Sequence, residues 1–386
     1  MTAEQQLDLL CQGVETIHSK PELLKKLQTG RPLRVKLGFD PTSPDLHLGH
    51  AVVLNKIRQF QDLGHTAVIL VGDYTARIGD PTGRSKTRVP LDPAQIDANA
   101  RTYTDQVFKI LNPAQTEVRR NSEWFDKFTY ADVLKLNGRI TVAQLLARED
   151  FRKRFESDQA ISLTEFQYPL MQGHDSVEVK ADVELGGNDQ LFNNLVGRDQ
   201  QKDAGQEPQV VMVLPILEGT DGVEKMSKSL GNYIGIAEAP SEMFGKAMSI
   251  SDELMGRWYP VLLGHKLDPA THPMEAKKHL ASSIVTRYHG EEAGKAARAD
   301  FEQKFSKKDL STADMPEITV SASPIWIVKL LQETGAVTSG GEARRLITQG
   351  GVKINGEKVA DDKAQVTVEP GMILQSGKKF FARLKA

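Results

Sequence analysis

The chain reads as an open α/β domain on a parallel sheet, followed by a helical segment and a small α+β tail. Three features point there. Short apolar runs, VKLGF at 35–39, AVILV at 67–71 and VVMVL at 210–214, are separated by helix-length amphipathic stretches such as His50 to Leu63, the pattern of strands joined by crossover helices. A further run, VEV at 177–179, is expected to be another strand of this sheet. From Ala239 to Lys307 helical spacing replaces the strand signal, and a stretch from Phe305 to Ser323, with Pro316, reads as a linker. Beyond it come a helix over 325–333, a second helix opened by Ser339, and short strands near 352–354 and 366–368. The expected domains are therefore 1–238, 239–320 and 321–386.

Composition excludes several classes. The 386 residues are 39% hydrophobic and 26% charged, the profile of a folded globular chain. A single cysteine, Cys11, rules out an internal disulfide framework and fits a reducing compartment. No run of about 18 apolar residues occurs, so neither a membrane span nor a signal segment is expected. Net charge is −2, but residues 321–386 carry 10 Lys or Arg against 6 Asp or Glu, which marks the tail as basic.

In an open α/β sheet ligands bind beyond the carboxyl ends of the strands, so the chemistry is sought in the loops after residues 39, 71 and 184. The first such loop leads into HLGH, His47 to His50, at a helix start. A helix amino terminus offers unpaired N–H groups and a positive dipole end, to which His47 and His50 add donors for phosphate oxygens. Gly49, lacking a Cβ, leaves room for a purine ring against the backbone. The bland reading is a pair of polar helix-capping histidines. The second motif, KMSKS at 225–229, is a lysine loop flanked by Gly219, Gly222 and Gly231. Lys225 and Lys228, with Ser229 beside them, can close over a triphosphate and follow the charge onto a departing pyrophosphate. Alone, it could equally be a solvated surface loop. A third element is a polar stripe: Tyr168, Gln172 and Asp175 at i, i+4 and i+7 fall within roughly 60° of one another on a helix. Pro169 is expected to mark the start of that helix, because proline is costly in a helix interior.

HLGH and KMSKS, in this order and about 180 residues apart, resemble the signature pair of class I aminoacyl-tRNA synthetases. GFDPT at 38–42, IGDPTGR at 78–84, YPLMQGHD at 168–175 and GGNDQ at 186–190 are similar to the tyrosyl-tRNA synthetase pattern over nearly the whole chain. The resemblance implies a Rossmann-like catalytic domain, a helical tRNA-contacting domain, and a tail like the RNA-binding domain named after ribosomal small-subunit protein S-four, with Arg344, Arg345, Lys353 and Lys358 neutralising phosphates. It implies ATP and tyrosine as substrates, magnesium carried with ATP and no metal held by the protein, tRNA(Tyr) as acceptor, a homodimer, and a cytoplasmic setting without membrane contact. It further implies that Asp80, Tyr168 and Gln172 hold the amino group of tyrosine, Asp175 its phenol and Gln190 its carboxylate end, with Thr75 nearby. Asp189 would meet the ribose, with Gly187 beside it in the nucleotide site. Asp40 and Thr42 would line the junction of amino acid and ATP, and Arg84 and Arg88 would lie near pyrophosphate. Lys36 and Leu37 stand where one bacterial branch has a tyrosine and a cysteine. A second branch, with K-x-G-x-D-P-T wording, looks like this chain. Two other readings stay open: a nucleotidylyltransferase, which also uses H-x-G-H, and a catalytically idle RNA-binding protein.

Overall fold

The computed structural model describes residues 1–41, 46–80, 92–305, 315–377 and 380–385. It divides into two compact units, Met1–Ala297 and Arg298–Ala386. In chain order the first contains α1 (Ala3–Cys11), β1 (Thr16–His18), α2 (Lys20–Gln28), β2 (Arg34–Phe39), α3 (Leu48–Asp62), β3 (Thr66–Val71), α4 (Pro93–Val107), β4 (Thr116–Arg120) and α5 (Ser122–Phe125). There follow α6 (Tyr130–Asn137), α7 (Val142–Leu146), α8 (Glu149–Glu156), α9 (Leu163–Glu178), β5 (Val183–Gly187), α10 (Leu191–Asp203) and β6 (Val210–Leu214). The helices α11 (Pro240–Ser249), α12 (Asp252–Leu263), α13 (Pro273–His289) and α14 (Glu291–Phe305) come next, and the boundary between the units falls within the last.

Among the described residues six strands form the main sheet in the order β1-β6-β5-β2-β3-β4. Only β1 runs antiparallel; β6, β5, β2, β3 and β4 are mutually parallel. β3 and β6 are apolar almost throughout and buried on both faces, as strands flanked by crossover helices must be. The chain winds outward from β2 through β3 to β4, then returns to lay β5 against the other side of β2. That reversal between β2 and β5 opens a crevice at the carboxyl ends of the two strands.

Two expectations about α9 need correction. Val177 and Val179 do not form a strand: α9 continues through Glu178, Val179 caps it as a buried residue, and Lys180 ends it at positive φ, so that the strand begins at Val183. Nor does Pro169 begin the helix, for it lies inside α9. The start is set by Ser162, whose hydroxyl accepts from Thr164 N–H while Glu165 accepts from Ser162 N–H. This reciprocal cap, written in the sequence as S-x-x-E, outweighs the missing proline N–H.

The second unit contains β7 (Glu317–Thr319), β8 (Ile325–Trp326), α15 (Ile327–Glu333), α16 (Gly340–Thr348), β9 (Val352–Ile354), β10 (Glu357–Lys358), β11 (Gln365–Val366), β12 (Ile373–Ser376) and β13 (Phe380–Lys385). One sheet runs β10-β9-β12-β13-β7, and β8 pairs with β11. The two helices close a core that includes Leu330, Leu331, Ile347, Val352, Leu374 and Leu384. Part of the stretch read as linker is thus a strand, since β7 pairs in parallel with β13.

Because α9 carries three polar residues of the crevice, its cap can be tested directly. Ser162→Ala removes the acceptor of the Thr164 N–H and is expected to lower stability by about 1 kcal/mol, read as an earlier urea midpoint at unchanged slope.

Candidate functional site

The crevice at the β2/β5 reversal is a cleft of about 410 Å³, a size suited to a small organic ligand. Its walls come from different elements for one topological reason: the lining residues lie near strand ends, in the loops beyond them, or on a helix facing them. β2 delivers Asp40, β3 delivers Gly72 and Thr75, and the turn after β5 delivers Asp189 and Gln190. Tyr168, Gln172 and Asp175 of α9, His50 of α3, Asp80, Lys225, and Gly38, Phe39 and Leu70 near the ends of β2 and β3 complete the lining.

At the deep end, Asp175 is 2% exposed. One carboxylate oxygen accepts from Trp124 Nε1 at 3.0 Å and the other from Asn121 Nδ2 at 3.4 Å. Burial pushes its pKa up to about 8, while the positive charge of Lys36 and the two donors oppose that rise. Asp175 therefore retains lone pairs toward the cleft in a desolvated setting, where an unmatched partner is costly.

Midway, Asp40 accepts from both Thr75 Oγ1 (2.8 Å) and the Tyr168 hydroxyl (3.0 Å). Burial, with Asp40 and Asp80 adding negative charge, raises the Tyr168 pKa and keeps its hydroxyl a donor. Gly72 is required by this packing: a Cβ there would lie 2.2 Å from Asp40 Oδ1 and 2.4 Å from Thr75 Oγ1. Asp80 accepts from Gln190 Nε2 at 2.7 Å, and the buried Arg148 stands 3.6 Å away. Gly187 closes β5 where a Cβ would meet Asp189 Oδ1 at 2.7 Å.

At the mouth, the two basic motifs come together. Leu48 N–H donates to Ile234 O and Ile236 N–H to Leu46 O, both at 3.0 Å, which seats the start of α3 against the segment following the lysine loop. Gly49 packs closely on the side where a Cβ would project, at 3.0 Å from the His47 ring and 3.7 Å from Met226. The missing side chain makes room for His47 and for the KMSKS methionine.

His47 N–H donates to His50 Nδ1 at 3.3 Å, leaving His50 Nε2 to carry the proton. Burial lowers the pKa of His50 to about 4 and, with His50 adding to it, that of His47 to about 3, so both rings are neutral near pH 7. They are neutral donors rather than cations. Lys225 Nζ approaches Asp189 Oδ2 at 3.7 Å from a largely exposed position. Lys228 opens a short 3-10 turn, and Ser229 Oγ lies 2.9 Å from Ser227 Oγ.

Ten of the residues singled out from sequence therefore line one cleft. His47, Gly49, Gly187, Lys228 and Ser229 stand beside it without lining it. Thr42, Arg84 and Arg88 lie outside the described residues. Sequence reasoning missed Gly72, Asn121 and Trp124. The glycine at the end of an apolar strand was a usable signal; the other two lie more than 50 residues from Asp175 and carry no motif. Among the described residues no group of three or more His, Cys, Asp or Glu side chains could hold a metal ion. No helix of the described residues is long and apolar enough to cross a membrane.

The family profile "tRNA synthetases class I (W and Y)" matches residues 28–306, and "Tyrosine–tRNA ligase SYY-like C-terminal domain" matches 307–383. A tyrosine–tRNA ligase of Moorella thermoacetica is 52% identical over 395 aligned positions, covering 98% of this chain and 95% of the relative. That of Aquifex aeolicus is 50% identical, covering 100% and 99%. Among solved structures, tyrosyl-tRNA synthetase of Archaeoglobus fulgidus complexed with L-tyrosine shares the fold at a TM-score of 0.61 and 22% identity, covering 77% of this chain and 99% of that one. With its polar cleft at the sheet reversal and both signature motifs meeting at the cleft mouth, the chain belongs to the class I tRNA synthetases of the tryptophan and tyrosine type.

Proposed function

We propose that this chain is a tyrosine–tRNA ligase, which activates tyrosine with ATP and passes it to the terminal adenosine of tRNA(Tyr). The observation that carries the reading is the meeting of the HLGH and KMSKS segments at the mouth of a cleft whose floor is the buried carboxyl of Asp175. Tyrosine enters phenol first. Asp175 accepts its hydroxyl, Asp80, Tyr168 and Gln172 receive the ammonium, and Gln190 and Thr75 hold the carboxylate end near Asp40 and Thr42. The carboxylate oxygen attacks the α-phosphorus of ATP as the bond to pyrophosphate breaks. Asp189 and Gly187 hold the ribose side. Negative charge moving onto pyrophosphate meets the N–H groups of His47 and His50, then Lys225, Lys228 and Ser229, with Arg84 and Arg88 beyond; Gly49 serves this site by seating His47. No protein group forms a covalent intermediate, so positioning and charge stabilisation carry the rate. Magnesium would arrive on the ATP phosphates.

We assign residues 1–238 to catalysis, 239–320 to tRNA contact and 321–386 to RNA binding. Exposed Arg344, Arg345 and Lys358, with half-buried Lys353, supply a phosphate-facing surface in the tail. The segment from Tyr130 to Leu163 exposes Tyr130, Leu134, Val142, Phe155 and Leu163, apolar side chains that support a homodimer. The enzyme works in the cytoplasm, where its tRNA is charged for translation.

ATP–pyrophosphate exchange that requires tyrosine tests the assignment: tryptophan should not substitute, and a nucleotidylyltransferase or an idle RNA-binding protein would show no exchange. Asp175→Ala should cut the preference for tyrosine over phenylalanine by roughly tenfold to a hundredfold, measured as the ratio of kcat/KM values. Gly72→Ala should displace Asp40 and Thr75 and lower exchange, while leaving far-ultraviolet circular dichroism unchanged. Because His47 and His50 stay neutral in the fold, the unfolded chain takes up protons first as pH drops below about 6.5. Stability should therefore fall between about pH 6.5 and 3, and the double variant His47→Gln/His50→Gln should flatten part of that decline in urea titrations.

A further inference from the structure

Lys36 and Glu184 are direct neighbours across the β2–β5 reversal, paired in register and 0% and 1% exposed. Lys36 Nζ lies 2.9 Å from Glu184 Oε1. The ammonium also donates to Ser176 Oγ at 2.7 Å and to the Gln172 carbonyl at 3.1 Å. An ammonium has three N–H groups, so all are committed and none remains for a ligand. Glu184 is equally occupied: Ser176 Oγ donates to Oε2 at 3.1 Å, and the buried Gln209 amide donates to the same oxygen.

A fully buried ion pair is a poor device for stability, since desolvation cancels most of its attraction and apolar replacements often do as well. Its contacts here indicate another use. Two of the three Lys36 bonds go to α9, at Gln172 and Ser176, the residues that flank the turn presenting Asp175 to the cleft. The side chain of Gln172 is held from the same side, accepting from Asn193 Nδ2 at 2.9 Å and lying 3.5 Å from Glu184 Oε1.

Resting on the tyrosine reading of the cleft, we propose that Lys36 is a positioning and specificity residue. Bound to Glu184, it fixes the rotation of α9 so that Gln172 and Asp175 meet tyrosine, without touching tyrosine itself. Its charge also favours the carboxylate form of Asp175, which burial opposes. The lysine thus takes up the place of a direct phenol ligand by acting through the aspartate.

The test compares wild type, Lys36→Met and the doubly neutral Lys36→Met/Glu184→Gln in tyrosine-dependent pyrophosphate exchange, with thermal unfolding measured alongside. Lys36→Met should raise the KM for tyrosine about tenfold, leave the KM for ATP within about twofold, and narrow the tyrosine-to-phenylalanine ratio. It strands Glu184 and should also unfold earlier. The double variant removes both charges and should recover thermal stability, yet keep the high tyrosine KM and the narrowed ratio. A tyrosine KM that returns to the wild-type value with stability would overturn the proposal, since the pair would then be only structural. An unchanged tyrosine KM in Lys36→Met would overturn it too. Absence of exchange in the wild type would sink the ligase reading and this inference together; activity in the wild type with an indifferent Lys36 sinks the inference alone.

Discussion

Two main-chain hydrogen bonds, Leu48 N–H to Ile234 O and Ile236 N–H to Leu46 O, govern what the site can do. They join segments nearly 190 residues apart and fix where α3 begins relative to the lysine loop. The buried Asn232 side chain adds to them, accepting from Ser227 N–H at 2.8 Å and donating to the Lys225 carbonyl at 3.2 Å, whereas the Lys225 ammonium is largely exposed and approaches Asp189 only at 3.7 Å, a geometry worth little in water. Main-chain pairing, reinforced by Met226 buried against Gly49, anchors the loop while the Lys225 ammonium stays largely exposed. The arrangement separates what must be fixed from what must respond.

The deep half of the cleft follows another rule. Asp40, Asp175 and Glu184 crowd a poorly solvated region, and each is answered by named donors: Thr75 and Tyr168 for the first, Trp124 and Asn121 for the second, Lys36, Ser176 and Gln209 for the third. Buried polar groups are tolerable only when their partners are present. Here the partners come from inside β2, from beside the ends of β3, β4 and β6, and from two helices, so the recognition surface is rigid because the fold is. Gly72 belongs to the same economy, since any side chain there would enter the space of Asp40 and Thr75.

How much of this was legible in the sequence depended on the range over which each signal acts. The strands at 67–71 and 210–214 were visible because continuous apolar runs report double-sided burial, and that at 35–39 because a short mostly apolar run precedes a helix-length stretch. The Tyr168, Gln172 and Asp175 stripe was visible because helical periodicity is local. The reading failed where two local signals competed: Val177 and Val179 alternate like a strand but lie in the last turn and cap of a helix whose Ser162–Glu165 capping box fixes its start upstream. The close packing of Gly49 against His47 and Met226 was not legible, because it depends on tertiary placement. Trp124 and Asn121 were illegible for the same reason. Lys36 was conspicuous as a departure, yet nothing in the sequence disclosed that Glu184 would be its register partner.

The chemical division of labour at the cleft mouth follows from the protonation states. A cationic histidine pair at the amino terminus of α3 would hold ATP phosphates tightly before reaction and release them slowly, binding ground and transition states alike. Neutral rings avoid that: with Nδ1 of His50 occupied by His47 N–H, its Nε2–H is a fixed dipole, useful where charge density rises and modest before. Full positive charge is left to the lysines of a loop anchored at its ends. In the proposed reaction, negative charge travels from the bridging oxygen onto departing pyrophosphate, away from the buried rings and toward the loop. Neutral donors inside and loop lysines outside would match that direction of travel, so that the electrostatic gain would grow along the reaction coordinate rather than being consumed on binding.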